Sequence, residues 1–120
     1  MIVAGIGFNG RATVASLLDA LTRAGTGAEA LATLDRKATD PRAQALAARL
    51  GLPLHGLAPD LIAAQDTPTR SPHSAALTGA GSLAEAAALA LAGPGARLRG
   101  PRAFSADGTA TAAIAERTTP

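Results

Sequence analysis

The chain has no cysteine, no tryptophan and no tyrosine, and only two phenylalanines and one methionine in 120 residues. Without cysteine there is no disulfide framework, no thiolate zinc site and no thiol nucleophile. With aromatics at 2%, an aromatic-lined cofactor slot is not expected, and no cofactor is assigned. Charge is scarce too: 17% of residues are charged and the net charge is +2. The isoelectric point of about 10.4 reflects ten arginines and one lysine rather than a strong positive field, because arginine barely titrates below about pH 12. A sequence-independent nucleic-acid binder needs a dense basic face with stacking rings. Here the basic residues are dispersed, the nearest cluster being Arg97, Arg99 and Arg102, so no nucleic-acid partner is expected. The start, MIVAGIGFNG, has no basic leader, and the apolar stretch 82–92 is too short to cross a bilayer. A cytoplasmic protein with no membrane partner is the expectation.

What the chain has in abundance is small: 32 alanines, against 16 leucines. Elements built from alanine are thin and approach one another closely. At this length they form one domain, 1–120.

Ile2 to Ile6 is a short apolar run ending in glycines, suited to a strand buried on both faces of a parallel sheet. Val14, Leu17, Leu18 and Leu21 then follow the spacing of one helical face, with Thr13 as N-cap and Gly25 after the end. Ala30 to Leu34 is a second strand, closed by the charged corner Asp35-Arg36-Lys37. Asp40-Pro41 opens a helix that Gly51 ends, with Ala43, Leu46, Ala47 and Leu50 as its apolar face. Pro53 to Ala58 reads as a third strand, and Pro59-Asp60 starts a short helix through Ala64.

Residues 65–81 carry Thr, Pro, Arg, Ser, His and Gly without apolar periodicity, which predicts a flexible loop within the domain, acting as a lid or connector. Ser82-Leu83-Ala84-Glu85 matches a capping box ahead of an Ala/Leu helix stopped by Gly93-Pro94-Gly95. Ala96 to Gly100 and Thr109 to Ala115 predict a final antiparallel pair around Ser105-Ala106-Asp107-Gly108. The order predicts a three-layer α/β sandwich with a mostly parallel central sheet and an antiparallel C-terminal strand pair.

Gly5-Ile6-Gly7-Phe8-Asn9-Gly10 is a literal GxGxxG between a strand and a helix, and Asp35 closes the second strand. In a dinucleotide site this pattern lets backbone N–H groups and a helix N-terminus hold a pyrophosphate while the acid takes the ribose hydroxyls. The competing reading is a tight strand-to-helix turn and nothing more. The short chain and Arg36-Lys37 directly after the acid speak against the nucleotide.

Asp35-Arg36-Lys37, Leu50 to Leu54, Gly81 to Leu89, Gly93 to Leu98 and Ala110 to Ala115, in that order, together resemble the CobE family, which is also the family of the C-terminal domain of CbiG. The resemblance runs from Val3 to Glu116. It implies a protein of cobalamin (vitamin B12) biosynthesis that binds a corrin-ring, precorrin-type intermediate as a carrier or accessory to neighbouring pathway enzymes. The alternative it implies is a hydrolase of a ring-contraction lactone, and a dinucleotide-binding module is a third reading. The family's turn has the form GxGxRxG; here the basic residue is shifted to Arg11.

Such intermediates carry several carboxylates and call for fixed cations and helix N-termini. The expected binding residues are Gly5, Gly7, Arg11, Asp35, Lys37, Ser82 and Glu85, converging at the C-terminal edge of the parallel strands. Lys37 and Arg11 would bind carboxylates, and Gly7 would admit close backbone approach. Asp35 would hold Lys37 or a ring amide, or act as a general base if buried. Ser82 and Glu85 also read simply as the two halves of a helix cap. His55 and His73 are unassociated and predict no metal site, Ser71 and Ser105 show no His/Asp relay in sequence, and Arg97 with Arg99 reads as a solvated strand face.

Overall fold

The computed structural model describes residues 1–65 and 82–117. Its sheet has six strands: β1 (Ile2–Phe8), β2 (Ala30–Leu34), β3 (Leu54–Leu57), β4 (Arg97–Leu98), β5 (Ala103–Phe104) and β6 (Ala110–Glu116). Five helices are described: α1 (Val14–Ala24), α2 (Asp35–Ala38), α3 (Pro41–Leu50), α4 (Pro59–Ala63) and α5 (Leu83–Ala92).

The strand order is β3-β2-β1-β6-β4, with β5 also on β6. β1, β2 and β3 run parallel, as crossover helices between consecutive strands require. β6 runs antiparallel to β1 along its whole length, Ile2 opposite Glu116 and Phe8 opposite Ala110. The pairing continues beyond the strands: the Met1 ammonium donates to the Arg117 carbonyl, and the Arg117 amide donates to Met1. The antiparallel strand expected at the end of the chain is therefore a central strand of the sheet.

Alternation along β1 and β6 assigns the two faces. Ala4, Ile6, Phe8, Ala112 and Ile114 pack with Leu17 and Leu21 of α1 and Leu46 of α3. Val3, Ala32 and Ala115 pack on the other side against Ala87, Ala88 and Ala92 of α5, and beside them Leu34, Ile62, Leu83 and Ala86 join α4 to α5. Helices on both faces make the three layers.

Local chemistry explains the helix ends. Thr13 and Ser16 form a reciprocal capping box at α1. The Asp40 side chain caps α3, Pro41 starts it, and Gly51 closes it in the left-handed conformation. In α5 seven of ten residues are buried, so this alanine helix is covered nearly all round.

Four expectations need correction. The Asp35–Lys37 corner is the short helix α2, and it fits because Gly56 lacks a side chain: a Cβ there would lie 2.9 Å from the Asp35 Cα. The C-terminal pair is three strands, since the chain from Arg97 to Phe104 follows β6 in two short pieces broken by Gly100-Pro101. Arg99 is not simply solvated: its guanidinium pairs with Glu116 at 3.1 Å and donates to the Thr26 carbonyl at 2.7 Å. Finally, Ser82 Oγ accepts from the Glu85 amide, but the Glu85 carboxylate turns inward and accepts from the Arg102 amide at 2.9 Å. The loop expected at 65–81 lies, beyond Gln65, outside the described residues, as do Ser71 and His73. No described helix is long and apolar enough to cross a membrane.

Candidate functional site

The residues expected at the site divide into an outer and an inner group. Arg11 and Asp35 are exposed and Lys37 is half-buried. Gly5, Gly7, Ser82 and Glu85 lie in the interior, around the start of α5.

The inner group is packing. A Cβ on Gly5 would lie 1.9 Å from the Ala84 carbonyl oxygen and 2.7 Å from the Ala88 nitrogen, so α5 rests its backbone on β1 there. A Cβ on Gly7 would meet Thr111 Oγ1 at 2.8 Å and Leu83 at 3.7 Å. The space that Gly7 was expected to leave for a ligand is filled by the protein's own side chains. Gly10 alone of the three glycines in the motif faces open space.

The outer group gathers on the turn after β1. Lys37 Nζ donates to the Phe8 carbonyl at 2.7 Å, and Arg42 Nη1 donates to the carbonyls of Asn9 and Ala12 at 2.9 and 2.8 Å. Both cations also lie over the Phe8 ring, 4.7 and 4.9 Å from its centroid. Asp40 holds Arg42 through two hydrogen bonds of 3.0 and 2.8 Å. The Arg42 guanidinium in turn keeps the Asp40 carboxyl down at about 2. Burial, followed by the neighbouring Arg36 and Arg42, lowers the pKa of Lys37. Asp35 does not hold Lys37; its Oδ1 accepts from the Arg36 amide at 2.7 Å in the first turn of α2.

The result is a corner carrying Arg11, Arg36, Lys37 and Arg42 against Asp35 and Asp40, at the C-terminal ends of β1 and β2. Open α/β sheets bind ligands at this edge. Arg42 and Phe8 were not singled out from sequence. The available signal was an arginine two residues after an N-cap aspartate, able to fold back on it, and one of only two phenylalanines in the chain placed inside the glycine turn.

Much of the same turn's backbone is already engaged. The amide of Asn9 donates to Thr109, that of Arg11 to Asn9 Oδ1, that of Ala12 to Asn9, and those of Thr13 and Ser16 to each other's hydroxyls. Calorimetric titration with NAD or NADP should therefore show no binding in the low micromolar range. An affinity of that order is worth about −8 kcal/mol, and five amides of this turn that could contribute to it are already committed.

His55 is exposed on the edge strand β3. Ser105 Oγ donates to Asp107 at 2.6 Å and accepts from the Ala110 amide, which ties it into a turn. Asp107 also accepts from the Thr109 and Ser16 hydroxyls, each at 2.7 Å, and Asp19 of α1 accepts from the Ala106 amide at 2.7 Å. The β5–β6 turn is thereby fastened to α1.

The family model described as cobalamin synthesis G C-terminus matches residues 2–115. The crystal structure of CobE, a protein from the cobalamin (vitamin B12) biosynthetic pathway, is similar at a TM-score of 0.83 and 33% identity, over 100% of this chain and 92% of that one. The cobalamin biosynthesis protein chiG from Agrobacterium tumefaciens str. C58 is similar at a TM-score of 0.74 and 34% identity, over 99% of this chain and 100% of that one. No curated protein sequence matches.

Proposed function

Because the chain belongs to the cobalamin synthesis G C-terminus family and is a cobalamin biosynthesis protein, we propose that it binds a corrin-ring, precorrin-type intermediate at the cationic corner beside the glycine turn, as a carrier or accessory factor for neighbouring pathway enzymes. The observation that carries this reading is the Lys37 ammonium, held on the Phe8 carbonyl at the mouth of the turn with Arg36 and Arg42 near it and Arg11 exposed on the turn itself. A corrin intermediate presents carboxylates around an apolar ring, and a corner with four cations and two carboxylates has charge to spare for them.

Gel filtration of the protein with hydrogenobyrinic acid, a metal-free corrin with a rim of carboxylates, tests the reading. Co-elution with a shifted visible absorbance is expected; separate elution would refute it. Lys37→Ala should weaken binding about tenfold or more, since a charge-assisted hydrogen bond in a partly desolvated site contributes about 1.5–3 kcal/mol. Its effect on melting should be small, because Arg42 continues to hold the turn. Arg97→Ala, an exposed change near the opposite end of β6, should alter neither quantity. The lowered pKa of Lys37 fixes the pH dependence: its share of the affinity fades as pH rises, starting below the range of an exposed lysine.

A further inference from the structure

Of the two phenyl rings in this chain, that of Phe8 is buried, whereas Phe104 is 48% exposed on the two-residue strand β5. A chain so poor in aromatics that leaves one of them open to solvent invites the question of what the ring meets. We propose that Phe104 and Arg102 form a second part of the tetrapyrrole-binding surface, the ring of Phe104 stacking on the macrocycle and Arg102 pairing with a carboxylate at its rim. The proposal rests on the reading given above.

Three observations support it. First, the Arg102 guanidinium lies over the Phe104 ring, 4.9 Å from its centroid, so one face of the ring carries a cation and stacking falls to the other. A ligand with an apolar face and an anionic rim is complementary to that pair.

Second, the pair is held in place from both sides. The Arg102 amide donates to Glu85 Oε2 at 2.9 Å, and Glu85 is fully buried in the first turn of α5. The Ser105 amide donates to the Ala110 carbonyl at 2.9 Å. Phe104 lies between these anchors, so its backbone is already ordered before binding.

Third, the register places the pair at the proposed site's end of the sheet. Phe104 is opposite Thr111, and Thr111 is opposite Gly7. Cross-strand partners share a face, so the ring stands on the α5 side, two strand spacings or about 10 Å from the glycine turn. The Phe8 ring under Lys37 and Arg42 belongs to the opposite face, so a tetrapyrrole touching both places lies across the C-terminal edge of β1 and the neighbouring end of β6.

The test is titration of hydrogenobyrinic acid, followed by its visible absorbance, into the parent protein, Phe104→Ala, Phe104→Tyr, Arg102→Ala and Lys37→Ala. The same series is repeated with the methyl ester of the ligand, which keeps the ring and loses the charges. Phe104→Ala should bind both ligands about fivefold or more weakly, in the range of lost aromatic stacking, and Phe104→Tyr should restore the affinity. Arg102→Ala should weaken binding of the acid and leave that of the ester unchanged. These substitutions are on the surface, so thermal melts should match the parent. If Lys37→Ala binds weakly while Phe104→Ala and Arg102→Ala bind like the parent, the second surface is refuted and the cationic corner stands. If the parent protein does not bind the acid, both fall.

Discussion

Gly5→Ala is expected to cost about 3 kcal/mol of stability or more, enough to lower the melting temperature by about 10 °C or more in a domain of this size. The reason is the identity of the obstacle. At 1.9 Å from the new methyl group lies the Ala84 carbonyl oxygen, part of a helix backbone that no rotamer change can move. α5 would have to lift off β1, and Val3, Ala32 and Ala115 would lose their contacts with Ala87 and Ala88. Gly10→Ala is the matched control, since a methyl group there meets nothing within 4 Å and the backbone does not take a positive φ. It should be neutral or stabilising by about 0.4–1 kcal/mol, because the unfolded chain loses freedom. Thermal and urea melts of the two variants separate the cases, and equal stability of both would show that α5 does not rest on Gly5.

The second large effect is expected at Asp107 in acid. Hydrogen bonds from the hydroxyls of Ser105, Thr109 and Ser16, with the Thr109 amide, hold its carboxyl well below the usual carboxylate range in the folded protein. A carboxyl depressed by folding contributes stability above its unfolded pKa of about 3.9, and that contribution is lost as the pH falls through and below this value. Asp107→Ala should therefore melt several degrees below the parent at neutral pH, with Ser16 and Ser105, both buried, deprived of an acceptor. The gap between the two proteins should narrow as the pH is taken from about 6 towards 2. A gap that stays constant over that range would show that the charge of Asp107 does not matter. Asp40, whose carboxyl is depressed in the same direction, remains in both proteins and cancels from the difference, whereas Asp19, which Asp107 repels, is itself depressed further once Asp107 is removed.

Much of this architecture is legible because its signals are local. Thr13 and Gly25 bracket α1, Asp40, Pro41 and Gly51 bracket α3, and Pro59 starts α4, each through a backbone preference confined to a few residues. What is not legible is where distant segments meet. The meaning of Gly5 depends on a helix whose contacting residue, Ala84, comes almost a full domain later in the chain, so a strand-glycine-helix motif reads equally as a nucleotide turn. Glu85 occupies the third position of a capping motif, yet its carboxylate accepts from the Arg102 amide, in a segment with no helical period to announce it. α2 spans four residues, too few for any periodicity, and so passes for a charged corner. The candidate site was legible as a cluster of charge at Asp35 to Lys37. That Lys37 and Arg42 close over Phe8 could not be read from the sequence, because it depends on how far α2 and α3 stand from the end of β1.

The pairing of β1 with β6 also has a consequence for how the domain forms. Ile2 and Glu116 are register partners, so the longest continuous ladder in the sheet joins segments more than a hundred residues apart. The entropic penalty of such a closure grows only slowly with loop length, but it must be met before the ladder returns any stability, and folding rates fall as such distant pairings dominate. A ribosome-bound chain can assemble β1, α1, β2, α3 and β3 in order, each next to its predecessor. Until β6 emerges, β1 is an open edge whose outer row of amides and carbonyls can pair with a neighbouring chain. β6 is thus the strand that shields β1, and slow arrival of residues 110–116 exposes the nascent domain to misassembly.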